Sequence, residues 1–179
     1  MNVFFLSRNT AECARWHTDQ HVIKMVIEAA QLLSTAWHQL QPTALVFEPL
    51  SRCCLLNGKR IFNETHRNHP MAIWTRQNAA NYQYVWNYGL DLADEYFHRW
   101  GSRREQPYRH ATQAILETLG DMPECLPDES MTDPPLCMPD EFKVEGDPTL
   151  SYRRYYIGAK LTNANYTHRE RPEWASQSL

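Results

Sequence analysis

Apolar and polar positions recur with a helical period along most of the chain, and the pattern predicts helices joined by polar loops. Met1–Leu6 is a short apolar run, its length compatible with a strand or with a plain entry into the core. Thr10 or Ser7 can cap a helix through Ala11–Trp16. From His17 to His38 the pattern changes character. Val22, Ile23, Met25, Val26, Ile27, Ala29, Ala30, Leu32, Leu33 and Ala36 clothe nearly the whole circumference of a helix. At about 100° per residue, His17, His21, Lys24, Glu28, Gln31 and Thr35 fall within roughly 40° of a single line, with His38 beside it. So apolar a helix belongs in the interior, and its polar stripe must then line a wet cleft or be fully hydrogen-bonded.

Pro42 and Pro49 bracket a loop, Asn57-Gly58 marks a turn, and Thr65–His69 is a polar loop leading to Pro70 at the first turn of a helix. That helix is expected to reach about Trp100 with a broad aromatic face, Gly89 marking a kink or a close crossing. Further helices are expected near Tyr108–Leu119 and Pro148–Asn165. Six of the eleven prolines fall in Met122–Pro148, an irregular segment running over the surface. With no internal repeat and no domain boundary, the expectation is one all-α domain spanning residues 1–179, with residues 122–148 as an acidic, Pro-rich excursion.

Composition narrows the class. A chain of 179 residues, 42% apolar and 22% charged, can bury a full core and is globular. No run approaches the ~20 apolar residues of a membrane span. Five cysteines without CxxC spacing read as reduced thiols, and with no signal-peptide pattern at the start the expected location is cytoplasmic. The net charge of −3 is uneven: Met122–Pro148 holds eight acids and one base, leaving 17 of the 18 bases and 13 of the 21 acids on the rest. Such a mildly basic body, expected to be a monomer, is compatible with a nucleic-acid partner, and without a spanning run no membrane partner is expected.

The stripe carries the chemistry. Two imidazoles, an amine and a carboxylate on one helical line are the groups of acid–base and nucleophilic catalysis. Glu28 is the candidate catalytic carboxylate, His21 its orienting partner and Lys24 an amine one turn away, active if burial depresses its pKa. His17, Gln20 and Gln31, with His66, Arg67 and His69 of the polar loop, are candidate substrate contacts. Tyr152, Arg154, Tyr155 and Lys160 interleave rings with cations, as a nucleic-acid edge would. Arg99, Arg103, Arg104 and Arg109 form a second basic patch, by default a solvated helix end. An alternative reading gathers His17, His21, His66 and His69 around a metal in a helical hydrolase with Glu28 as general base. In another, a non-catalytic protein docks a basic partner through its acidic segment. Ordinary core histidines also explain an i, i+4 pair.

Asp19-Gln20-His21 followed by Glu28, together with Ser151-Tyr152-Arg153-Arg154-Tyr155-Tyr156-Ile157-Gly158-Ala159-Lys160, resembles the phage-type pyrimidine-dimer DNA glycosylase/AP lyases, the endonuclease V of T-even phage. The family's aromatic-basic run has a competing alignment, with Arg171-Pro172-Glu173-Trp174. The striped helix, the Thr65–Pro70 loop and Met138-Pro139-Asp140-Glu141 are similar to a further group of small phage and bacterial proteins. The first resemblance implies a compact all-α fold and a DNA base-excision glycosylase for damaged or modified pyrimidines, with no cofactor. It also implies an AP-lyase step in which the amine of Met1 attacks the sugar and Glu28 stabilises the cationic intermediate. The chain departs from the family at Asn2, Val3, Ile27 and Gln31, where a small residue, a basic residue and two arginines are expected.

Overall fold

The computed structural model describes residues 2–176. Helices dominate: α1 (Thr10–Arg15), α2 (Asp19–Leu40), α3 (Pro70–Thr75), α4 (Ala79–Tyr96), α5 (Gln113–Thr118) and α6 (Pro148–Ala159). The all-α expectation is nevertheless wrong. Between α2 and α3 lie three strands, β1 (Leu45–Glu48), β2 (Cys53–Leu56) and β3 (Lys59–Ile61), paired antiparallel in that order. Asn57 and Gly58 both have positive φ, 52° and 74°, the backbone twist that closes a two-residue hairpin between β2 and β3. Leu56 and Ile61 are buried while Lys59 and Arg60 are exposed, so the hairpin gives the core one face only.

Packing starts from α2, which buries Val22, Met25, Val26, Leu32, Leu33 and Trp37. Its flank is not wholly enclosed, for Ile23 stays 43% exposed. Gly89 of α4 marks a close crossing: a Cβ there would lie 2.8 Å from Leu116 Cδ2 and 3.1 Å from Ala29 Cβ. Trp37 Nε1 donates to the Tyr82 hydroxyl (3.1 Å), which donates to Leu119 O (2.9 Å), tying α2, α4 and α5 together. Val3–Leu6 is buried but forms no strand, so the apolar start is an entry into the core.

Capping explains where the predicted helices break. Asn9, rather than Thr10 or Ser7, caps α1 by accepting from Glu12 N (2.9 Å). Thr18 caps α2, leaving His17 in the joint. The expected Pro70–Trp100 helix is interrupted after Thr75, where Asn78 caps the new helix (Asn81 N, 2.8 Å) and Asn81 Nδ2 returns to Trp74 O (2.9 Å). It then ends in a π turn, Phe97–Gly101.

The acidic segment holds one short helical turn, Asp140–Phe142, and it is a strap rather than an excursion. Its prolines donate no N–H to a ladder, and its carbonyls serve donors elsewhere: Pro127 O takes Ala79 N (2.9 Å), Thr132 O takes Trp74 Nε1 (3.2 Å) and Cys137 O takes Asn2 Nδ2 (3.2 Å). Among the described residues no helix is long and apolar enough to cross a membrane.

Candidate active site

Followed along α2, the polar stripe passes from a closed environment to an open one. His17 is fully buried, with Nδ1–H donating to Cys13 O (2.7 Å) and Nε2 accepting from the Tyr88 hydroxyl (2.8 Å). Both ring nitrogens are committed, so His17 has nothing left for a substrate or a metal. This corrects its assignment as a contact residue. Burial pushes its pKa down to about 3.

His21 is the next residue up. The Tyr156 hydroxyl accepts from Thr18 N (3.0 Å) and donates to His21 Nδ1 (2.6 Å), which leaves the ring proton on Nε2. The ring stacks on Phe4 at 4.6 Å. Burial, and then the ammonium groups of Lys160 and Lys24, push its pKa down to about 4. His21 is thus a neutral hydrogen-bond donor at the edge of the core.

Two neutral buried histidines make stability pH-dependent. Both folded pKa values lie below the unfolded value of about 6.5, so the unfolded chain binds more protons throughout that window. Stability is fully present above pH ~6.5 and is lost progressively as pH falls towards the two folded values. Thermal unfolding midpoints recorded between pH 7.5 and 4.5 are expected to fall steadily. A His17→Asn variant, destabilised at neutral pH, should show a shallower decline; an unchanged slope would remove His17 from this account.

Glu28, 8% exposed, faces the N-terminal segment. Its Oε2 accepts from the backbone N–H of Asn2 (2.7 Å), and its Oε1 lies 3.3 Å from Lys24 Nζ. Tyr152 fixes this arrangement from behind. Fully buried, it places its hydroxyl 2.8 Å from Pro135 O and 3.1 Å from Asn2 Oδ1. Tyr152 is therefore a positioning residue, which corrects its assignment to a binding edge. Lys24 is also corrected: its side chain is 63% exposed, so it is not the buried amine its catalytic assignment required. Met1 lies outside the described residues.

The polar loop folds against the same stretch of helix. Thr35 Oγ1 donates to Thr65 O (3.0 Å) and accepts from Thr65 N (3.2 Å), pinning the loop. His69 caps α3 through Nδ1 (Met71 N, 3.2 Å), and its pKa is lowered chiefly by burial, with Glu28 acting in the opposite direction. The carboxylate and this imidazole therefore share one electrostatic environment. His66, exposed and held at φ 49°, bonds Thr65 Oγ1 through Nδ1 (2.6 Å); Arg67 is exposed beside it. Gln31, half-buried, lines a polar pocket of about 260 Å³ with Arg52, Arg60 and Asn63. Lys160 Nζ lies 4.8 Å from the centre of the half-buried Tyr155 ring and 6.0 Å from that of Phe4, while Arg154 and Gln20 are exposed.

Asn2 and Lys24 contact Glu28, whereas His21 bonds Tyr156 and not Glu28, which corrects its assignment as the orienting partner of the carboxylate; Gln31 extends the line of the stripe. The four-histidine metal set is not assembled: among the described residues no three His, Cys, Asp or Glu side chains converge as a metal-binding group. Asn2, Tyr88 and Tyr156 were missed as site residues. The two tyrosines sit in aromatic-rich helices that read as core, and nothing in their spacing reveals that their hydroxyls reach the histidines. A scan against protein-family models and searches of curated proteins and solved structures find no match to this chain, so its function is read from the chemistry of the site.

Proposed function

We propose that this chain is a cytoplasmic DNA base-excision glycosylase acting on damaged or modified pyrimidines, with an associated AP-lyase step. The observation that carries the reading is the Glu28 carboxylate, nearly enclosed on a core helix and held by the N–H of Asn2 at 2.7 Å. When the glycosidic bond breaks, the electron pair leaves with the base and C1′ becomes cationic. A fixed carboxylate in a partly dry site stabilises that charge better than water does. Water then adds to C1′ and gives its proton to Glu28. The neutral Nε2–H of His21 donates to a phosphate or base oxygen, and Lys24, Lys160 and Arg67 supply phosphate-binding charge.

In the lyase step an amine replaces that water. It bonds to C1′ and gives up one proton; the C1′–O4′ bond then breaks, O4′ takes up a proton and a C1′ iminium forms, after which loss of a C2′ proton expels the 3′ phosphate by β-elimination. The family resemblance assigns that amine to the N-terminus; Lys24, 3.3 Å from Glu28 but solvent-facing, lacks the burial that would activate it.

The test is a panel of duplexes carrying single modified pyrimidines. Mass spectrometry is expected to detect free base from at least one, and borohydride added on abasic-site DNA should leave a covalent adduct whose peptide map identifies the amine. Base release without an adduct would reduce the activity to a glycosylase alone. Absence of both on every duplex would overturn the reading.

A further inference from the structure

A cavity of about 580 Å³ lies between β3 and α5, and no residue of the polar stripe lines it. β3 is an edge strand, paired with β2 on one side only, which leaves its other side to α5. Phe62, Ala111, Ala114 and Ile115 wall the gap, and the two alanines keep it open. Thr118 also lines it, but its Oγ1 donates to Ala114 O (2.8 Å) within the helix. The charged lining residues are Lys59 and Arg60, both exposed, so they stand at the rim of an apolar hollow.

A second, polar pocket of about 260 Å³ adjoins this cavity, because Arg60 and Phe62 line both. Arg52 lines it from the turn before β2, where Asn63 Nδ2 donates to Arg52 O (3.0 Å). The acid there is Glu64, which accepts a hydrogen bond from Gln39 Nε2. Among the described residues Arg52, Lys59 and Arg60 form no ion pair. Three cations therefore stand around two adjoining hollows that hold one carboxylate, and that carboxylate is already hydrogen-bonded.

We propose that the β3–α5 cavity binds a small phosphate monoester with an apolar body. The body lies between Phe62 and Ile115 and the phosphate on Arg60, with Lys59 and Arg52 supplying further positive charge. A cavity of this volume, apolar with a few polar groups at one end, has the make-up of a small-molecule site. The guanidinium fork matches phosphate oxygens two at a time. A phosphate monoester carries most of a second negative charge at neutral pH, which suits several cations better than a singly charged carboxylate does. The site does not depend on the glycosylase reading, for none of these residues carries that chemistry.

Isothermal titration calorimetry with naphthyl phosphate tests the site, with naphthol, naphthoate and inorganic phosphate as partial probes. Wild type is expected to bind the ester about tenfold more tightly than any of the three. Arg60→Gln should weaken the ester about tenfold and leave naphthol unchanged. Ala114→Trp, which fills the hollow from an exposed position, should weaken the ester and naphthol alike. Both replaced side chains are exposed, so unfolding midpoints without ligand should match wild type. An Arg103→Gln, Arg104→Gln control, at positions lining neither pocket, should keep wild-type affinity.

Wild type that does not bind naphthyl phosphate at millimolar concentration would overturn the site. So would equal affinity in Arg60→Gln, or an equal loss in the control, which would reduce binding to unspecific charge. Equal wild-type affinity for naphthoate would overturn the phosphate as head group. Equal affinity for the ester in Ala114→Trp would remove its body from the cavity and overturn the assignment. Each of these results leaves the glycosylase reading standing, because no varied residue takes part in it.

Discussion

Glu28→Gln is expected to lower base release by about 10²- to 10⁴-fold, the range for losing a positioned acid–base group. The substitution keeps the side chain's length and volume, and the glutamine oxygen can still accept from Asn2 N, so the N-terminal segment stays in place. What disappears is the negative charge beside the sugar. Losing the Lys24 pair costs little, because Lys24 is 63% exposed and water screens the interaction. Activity and stability should therefore separate: the unfolding midpoint stays within a few degrees of wild type while turnover collapses. Steady-state kinetics on the duplex that gives base release, with circular dichroism of the same preparations, check both halves. Full turnover in the variant would remove Glu28 from the chemistry.

That expectation comes from a part of the molecule that was legible in the sequence. The 3.6-residue period of α2 placed Glu28, His21 and Gln31 on one line, and the apolar residues around them located the line against the core. Periodicity says nothing about which groups on the line are already satisfied. His17 and His21 look equivalent as an i, i+4 pair, yet Cys13 O and Tyr88 occupy both nitrogens of His17 while Tyr156 takes only one of His21. The two tyrosines come from 71 and 135 residues away. Lys24 failed for a related reason: a position on the stripe does not fix how far a long side chain reaches into water.

The sheet was missed because strands of three and four residues hold too few positions to show a period of two. Only Asn57-Gly58 signalled it, and that pair was read as a turn without its flanking strands. The helix break after Thr75 was hidden in the same way. Asn78 and Asn81 are ordinary polar positions of a long amphipathic pattern until their side chains are seen to cap and to close the two helix ends.

Arg99 shows the same limit most sharply, and its replacement is the largest stability effect expected. It reads as one of four arginines on a solvated helix end, yet its side chain is 0% exposed. Its guanidinium contacts Glu95 Oε1 (2.6 Å), Asp19 Oδ1 (2.8 Å) and Arg15 O (3.1 Å). Arg169 takes the other Glu95 oxygen at 2.8 Å, and Thr167 Oγ1 donates to Asp19 Oδ2 at 2.6 Å, so the network clamps the C-terminal segment onto α1, α2 and α4. Burial pushes the Glu95 pKa up, but the hydrogen bonds from Arg169 and Arg99 outweigh it and hold the carboxyl below its usual range.

Arg99→Leu keeps apolar volume but strands Glu95 and Asp19 with fewer partners, a loss of about 3–5 kcal/mol. At about 2–4 °C per kcal/mol for a domain of this size, the unfolding midpoint should drop by on the order of 10 °C at pH 7.5. Arg99→Lys, which keeps the charge but not the planar fork, should fall between. Acid supplies the discriminating arm. The wild type gains from an ionised Glu95 above the unfolded carboxyl pKa and loses that gain as pH falls. In the leucine variant Glu95 takes up a proton more readily, so the gap between the two proteins should narrow on moving from pH 7.5 to pH 5. A drop of a degree or two, or a gap that does not close in acid, would mean that this ion cluster contributes little to holding the fold.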